Sequence, residues 1–347
     1  MSDRSEEPLS HPCPRDIGMT GRWLLVALVG VGIALLGAPH VADGAPDRVR
    51  PILVVGSPCS EDNFICPAFA RALRTTGVRG RIFVRDFRED PPSSLTLLAR
   101  QGYDVVFVDW WSYDALGPVA RRFPKVTFVL VDMTPKPADA RLPNVVAAAV
   151  RTNEAAFLAG WLAARLEQRR AGPDVVGVVA GMKIPPVDDF VVGFRAGARR
   201  ASRSVEVLTG YSNDFADPSK CEAIARRQIA RGAGVVFNVA GSCGLGALDA
   251  AKDAGAWGIG VDVDQMFLGP HVLTSVVKQY DVLFASLIRE PRGSRASPPR
   301  RAFFGLGDGA AGLGRVSAKV PGSLLSELER VRRRIVSGEI SVPGVVP

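Results

Sequence analysis

PDVVGVVAG (residues 173–181) decides the fold. Its apolar positions run on without the alternation of a half-solvated strand. That pattern marks a strand buried on both faces, hence a parallel sheet covered by helices on both sides. The same kind of run recurs in both directions. Before it stand PILVVG (51–56), RIFVRDF (81–87), DVVFVD (104–109), VTFVLVD (126–132) and VVAAAV (145–150); after it come SVEVLTGY (204–211), GVVFNVAG (234–241) and WGIGVDVD (257–264). Helix-length segments separate the early runs, at Phe64–Thr75, Leu95–Gln101, Asp114–Arg122 and Glu154–Arg165. The alternation predicts an α/β chain with doubly wound parallel sheets, and the restart at Pro173 predicts two such lobes.

Further along, Val272–Val276 reads as another strand and Lys278–Ile288 as a helix. Residues 289–301 read as an exposed Pro- and Arg-rich connection, and Gly305–Gly314 as a hairpin or long loop. A last amphipathic helix spans Ser323–Ser337, with Leu324, Leu325, Leu328, Val331 and Ile335 on one face. The expected first lobe is 46–171 plus about 272–295, and the second is 172–271 plus about 300–347.

Composition agrees with two globular lobes: 347 residues, 47% hydrophobic and 22% charged, which excludes a disordered or disulfide-dense chain. Only three histidines occur (His11, His40, His271), which argues against a multi-histidine metal site and against histidine-based catalysis. The run WLLVALVGVGIALLGA (23–38) follows Arg22 and precedes small residues, the layout of a secretory signal peptide ending near residue 45. It falls short of the ~20 residues that a spanning helix prefers, although an uncleaved anchor is the alternative. Translation starting at Met19 would suit the leader equally well. Export to the periplasm is the expectation.

Export changes how the cysteines read. Cys13 leaves with the leader, and Cys59, Cys66, Cys221 and Cys243 remain in an oxidising compartment. Of three possible pairings, Cys59–Cys66 flanks one loop-to-helix turn and Cys221–Cys243 follows consecutive strands; free buried thiols are the alternative.

In open parallel sheets ligands bind at the carboxyl ends of strands. Those ends carry SPCSEDNF (57–64), Asp109-Trp110-Trp111, Asp132, YSNDF (211–215), Gly241 and Asp262, with Asp264 placed as a cap. Rings to stack on and carboxylates to accept from hydroxyls suit a planar, polyhydroxylated ligand.

Several stretches together resemble the basic membrane protein family, the PnrA-like solute-binding proteins of ABC importers. They are VVGFRAGARRA (191–201), residues 211–255, GIGVDVDQ (258–265) and LTSVVKQYD (273–281), with NVVAAAVRTNEAAFLAGWLAARL (144–166) and IVSGEISVP (335–343) in support. The resemblance implies a type I periplasmic-binding fold that closes over its ligand by hinge motion. It also implies a purine nucleoside-like ligand, an ABC permease and ATPase in the membrane as partners, no cofactor, and a monomer. By motif position Phe64 resembles the first stacking ring and Phe215 the second, Asp132 a polar contact, Gly241 a backbone contact, and Asp262 with Lys278 the ribose clamp. Trp110 lines the first lobe's wall, where the family has a smaller segment, and Ile65 replaces the usual Asn after the Phe. Lys278 stands out because the chain has only 7 Lys beside 36 Arg.

An enzyme is not expected, since no nucleophile elbow, phosphate loop or dinucleotide fingerprint occurs. A sensor subunit for a membrane receptor, or a binder of another planar polar ligand, are the alternatives. The formal charge of +8 rises to +10 once residues 1–45 are removed. Its densest clusters lie at Arg199-Arg200, 289–301 and 330–334, away from the strand ends. No aromatic–basic stripe of the single-strand-binding kind is present, so nucleic acid is not an expected partner.

Overall fold

The apolar runs pair into two six-stranded sheets. A computed structural model describes residues 49–345 except 57–58, 60–63, 86–89, 110–111, 134 and 290–299; the leader and Trp110 therefore lie outside the described residues. In the first sheet, β1 (Pro51–Val55), β2 (Arg81–Val84), β3 (Val105–Val108), β4 (Thr127–Val131) and β5 (Val145–Val150) are joined by β11 (Arg300–Phe304). In the second, β6 (Val175–Ala180), β7 (Glu206–Tyr211), β8 (Ala233–Val239), β9 (Trp257–Asp262) and β10 (Val272–Lys278) are joined by β12 (Ala311–Leu313). The orders are β11-β5-β4-β3-β1-β2 and β12-β10-β9-β8-β6-β7, so the two sheets share one strand plan. All pairings are parallel except β10 with β12.

Alternation of side chains explains how a continuous apolar strand buries both faces. Leu53, Phe107 and Val129 face α1 (Ile65–Thr76) and α8 (Tyr280–Arg289), where Phe107, Phe69 and Phe284 meet edge to face at 5.0–5.7 Å. Ile52, Val106 and Phe128 face the opposite way, against Leu95 and Leu98 of α2 (Pro91–Arg100) and Leu116 of α3 (Tyr113–Arg122). Each fully buried Phe contributes roughly 1.5–3 kcal/mol. The helix α2 starts earlier than expected because Asp90 caps it, accepting from Ser93 N, with Pro91 in the first turn.

The second sheet is covered by α4 (Thr152–Glu167) and α5 (Pro185–Ala201) on one side, and by α6 (Pro218–Ala230) and α7 (Gly244–Asp253) on the other. The chain thus passes between the lobes three times: between β5 and α4, between β10 and α8, and between β11 and β12. Hydrogen bonds lace these passages together. Arg151 N donates to Phe304 O (2.8 Å), Gln279 N to Ala310 O (2.7 Å), and Leu306 N to Glu154 Oε2 (2.9 Å).

Four expectations need correction. Lys278 ends a strand instead of opening a helix, because the β9–β10 ladder carries the chain extended through Val277. Residues 272–278 therefore belong to the second sheet, not the first lobe. Conversely, Arg300–Phe304 is a strand of the first sheet, paired with Val146–Val150, where a connection and the start of the second lobe were expected. In α9 (Gly322–Val336) Leu324, Leu328, Val331 and Ile335 are buried, but Leu325 lies off that stripe and is exposed.

Candidate ligand-binding site

The shared strand plan places Asp132, directly after β4, and Asp262, at the end of β9, at matching positions in the two sheets. Both have left-handed backbones, with φ of 55° and 65°. Aspartate is among the few non-glycine residues that tolerate this, and the turn swings each carboxylate out of the sheet.

Asp132 is tied down on one side. Its amide donates to Ala148 O at 2.7 Å and its Oδ1 accepts from Val150 N at 3.0 Å. Its Oδ2 accepts from Lys278 Nζ at 2.6 Å and from the Tyr280 hydroxyl. Lys278 and Tyr280 flank the second passage between the lobes, so a lysine of the second sheet grips an aspartate of the first right at the hinge. The Lys278 ammonium also lies 3.3 Å from Tyr280 Oη and 5.2 Å from the Phe190 ring centroid. Asp262 differs, because among the described residues nothing donates a hydrogen bond to its carboxylate.

Electrostatics follow from this packing. Burial works against the Lys278 charge, but Asp132, Tyr280 and Asp262 together outweigh it and hold the ammonium well above its ordinary value. Burial pushes the Tyr280 phenol far up, with Asp132 adding to the effect. Burial likewise raises Asp262; Lys278 opposes this and Asp132 reinforces it. The cluster therefore holds a charged lysine, a protonated tyrosine, and one carboxylate whose hydrogen-bonding capacity is unused.

Aromatic rings border the cluster. Phe64, just before α1, stacks on Tyr280 with centroids 5.6 Å apart and planes 18° from parallel. Phe215 is 39% exposed at the rim of the second lobe, enough to offer a ring face to a ligand. Its seat needs glycine. A Cβ at Gly181 would stand 2.4 Å from Phe215 Cε1, and Gly241, at φ 56°, passes beside the Phe215 carbonyl. The Phe215 loop is built by Asn213 at φ 55° and by Asp214, whose carboxylate accepts from Lys220 Nζ and from Ala216 N. Lys220 and those backbone donors hold the Asp214 carboxyl at about 2. Asp264 is a cap, accepting from Met266 N and Arg315 Nε.

Gly181, Gly241, Asp262 and Lys278 stand at the carboxyl ends of the neighbouring strands β6, β8, β9 and β10. At about 4.8 Å per strand the row spans roughly 14 Å, long enough for a two-ring ligand. Both disulfides brace ring-bearing segments. Cys59–Cys66 brackets Phe64, with Cα atoms 5.7 Å apart. Cys221–Cys243, at 5.6 Å, sits where Cys243 N donates to Phe215 O at 2.9 Å. Replacing Cys221 and Cys243 by serine should cost roughly 3 kcal/mol from the 22-residue separation, and replacing Cys59 and Cys66 about 2 kcal/mol. Urea unfolding under oxidising conditions measures both, and stabilities equal to wild type would show that the bridges do not form.

Of the residues expected in the site, Asp132, Asp262 and Lys278 come together, Phe64 joins them through Tyr280, and Phe215 and Gly241 meet each other on the second lobe. Tyr280 and Phe190 escaped the sequence reading. Tyr280 falls in phase with Leu283, Phe284 and Leu287 and so passes for core; that it is one of four tyrosines and stands two residues after Lys278 was the available signal.

Residues 82–345 match the family described as ABC transporter substrate-binding protein PnrA-like. The chain belongs to this PnrA-like family. Among its relatives, Basic membrane protein B of Borrelia garinii subsp. bavariensis is 31% identical over 258 residues, covering 72% of each chain. The ABC transporter nucleoside-binding protein BmpA of Lactococcus lactis subsp. cremoris is 27% identical over 264 residues, covering 71% of this chain and 72% of that one. The crystal structure of an ABC transporter solute-binding protein from Aeropyrum pernix K1 superposes with a TM-score of 0.68 at 23% identity, covering 85% and 94% of the two chains. The fold is that of solute-binding proteins, and the PnrA-like family is one of substrate binders for ABC transporters. Among the described residues no helix is long and apolar enough to cross a membrane.

Proposed function

We propose that this PnrA-like protein is exported by its leader, captures a purine nucleoside-like molecule between its lobes as a monomer, and delivers it to a membrane permease driven by an ATPase. The observation that carries this reading is the cluster of Asp132, Asp262 and Lys278 at the hinge. One carboxylate waits for a donor and one ammonium offers a hydrogen, as a sugar hydroxyl requires. Phe64 and Phe215 supply the ring faces for a base, and Gly241 a backbone contact. The nucleoside-binding name of the Lactococcus relative points the same way. Because Lys278 and Tyr280 flank a passage between the lobes, a ligand gripped there also biases hinge closure.

Native mass spectrometry of freshly purified protein, followed by a thermal-shift screen of nucleosides and bases, tests the proposal. A ligand at 100 times its dissociation constant stabilises the fold by about 2.7 kcal/mol. A screen in which no nucleoside moves the melting temperature would overturn the reading.

Asp262→Asn sharpens the test. Burial raises the Asp262 carboxyl, so the folded state holds its proton to higher pH than the unfolded chain does. Ionisation therefore costs stability, from about pH 4 in the unfolded chain up through the raised folded value. The variant should melt with wild type near pH 4, melt higher at pH 7, and lose the ligand-induced shift. Asparagine keeps the left-handed turn accessible. A lower melting temperature at pH 7 would show that Asp262 serves the fold instead of the ligand.

A further inference from the structure

Asp132 is the carboxylate most firmly positioned at the hinge, yet little of it remains for a ligand. Its Oδ1 is turned toward β5, where Val150 N donates at 3.0 Å. Its Oδ2 has two lone pairs and two donors, Lys278 Nζ at 2.6 Å and the Tyr280 hydroxyl. Tyr280 is 3% exposed and its ring is stacked on Phe64, so packing holds the hydroxyl in place. Asp262 stands opposite Val277 in the β9–β10 ladder, next to Lys278, with its carboxylate unengaged among the described residues. The cluster thus presents one free carboxylate and one ammonium where its composition suggests two carboxylates.

We propose that Tyr280 determines specificity in this cleft: by occupying Asp132 it selects a nucleoside lacking one sugar hydroxyl, a deoxynucleoside, over the ribonucleoside. The inference rests on the nucleoside reading above. The first ligand hydroxyl donates to Asp262 and accepts from Lys278. A second, directed at Asp132, meets an oxygen already saturated, and its desolvation goes unrepaid. Removing the tyrosine hydroxyl opens that acceptor. A site able to pair a hydroxyl then rejects the analogue that lacks it.

Titration calorimetry of guanosine, 2′-deoxyguanosine and 3′-deoxyguanosine against the full mature chain decides the matter, with wild type, Tyr280→Phe and Tyr280→Leu compared. Wild type should bind one of the deoxynucleosides about tenfold more tightly than guanosine, the scale of one hydrogen bond to a charged group. Tyr280→Phe keeps the ring on Phe64 and should raise guanosine affinity by more than tenfold, because a penalty is lifted and a hydrogen bond is gained, which reverses the preference. Tyr280→Leu should shift the ratio in the same direction, because the hydroxyl and not the ring fills Asp132. A merely structural tyrosine would weaken all three ligands alike and leave their ratio fixed, and that result overturns the proposal. Guanosine preferred by wild type overturns it as well. No binding of any of the three to any of the proteins overturns the nucleoside reading itself, and this proposal with it.

Discussion

Lys278→Met is expected to cost roughly 3–5 kcal/mol of folding stability and to abolish ligand-induced stabilisation. The Lys278 side chain is only 8% exposed and its partner Asp132 only 16%, so solvent screens the pair little. Methionine keeps the length of the side chain but removes the ammonium that pairs with Asp132, leaving the Asp132 and Asp262 carboxylates without it at the hinge. Breaking one side of a buried pair is costly because the other charge stays behind, desolvated. Adding Asp132→Asn should therefore recover part of the stability, since asparagine Oδ1 can still accept from Val150 N and only the Asp262 carboxylate is left without the lysine. Binding should not return. Urea unfolding of the four proteins in this cycle, with calorimetry alongside, measures both effects. A single variant as stable as wild type would show that the pair contributes nothing to the fold.

Gly197→Ala should destabilise by roughly 3 kcal/mol or more, against the usual gain of about 1 kcal/mol for this exchange inside a helix. The reason lies in the crossing of α4 and α5. A Cβ at Gly197 would stand 1.9 Å from Phe157 O, one at Gly160 2.0 Å from Phe194 O, and one at Gly193 2.2 Å from Asn153 O. Each obstacle is backbone, which no rotamer change relieves, so the helices must part. Gly322 at the start of α9 has nothing within 4 Å and is the matched control, expected to be neutral on mutation to alanine. Thermal unfolding of both variants decides, and equal melting temperatures would show that the crossing tolerates a methyl group.

Much of this architecture is legible in the residues. Strands such as VVGVVA and VVAAAV declare themselves because burial on both faces admits only apolar side chains. Asp132, Asp262 and Lys278 could be brought together from the strand-end rule and the family resemblance. The failures have physical causes. Arg300–Phe304 carries RRAFF, with no β-branched residue and a Pro-rich stretch in front of it. It becomes a strand only because β5 presents an unfilled edge, a tertiary fact absent from local sequence. Lys278 and Tyr280 straddle a change from extended to helical backbone within three residues, where the two periodicities overlap. Tyr280 was overlooked because an aromatic in helical phase reads as core, and it is core: 3% exposed, yet with its one polar atom in the site.

The late arrival of β11 has a consequence for synthesis. Its partner β5 ends at Val150, whereas β11 ends at Phe304, so the first sheet keeps a bare parallel edge while about 150 further residues are made. At 5–20 residues per second that interval is roughly 8–30 s. An edge of VVAAAV composition is a template for unwanted pairing throughout it. Neither lobe is a contiguous piece of chain, so a nascent fragment stopping anywhere before residue 304 lacks a complete first lobe. A chain built in this way favours completion before folding.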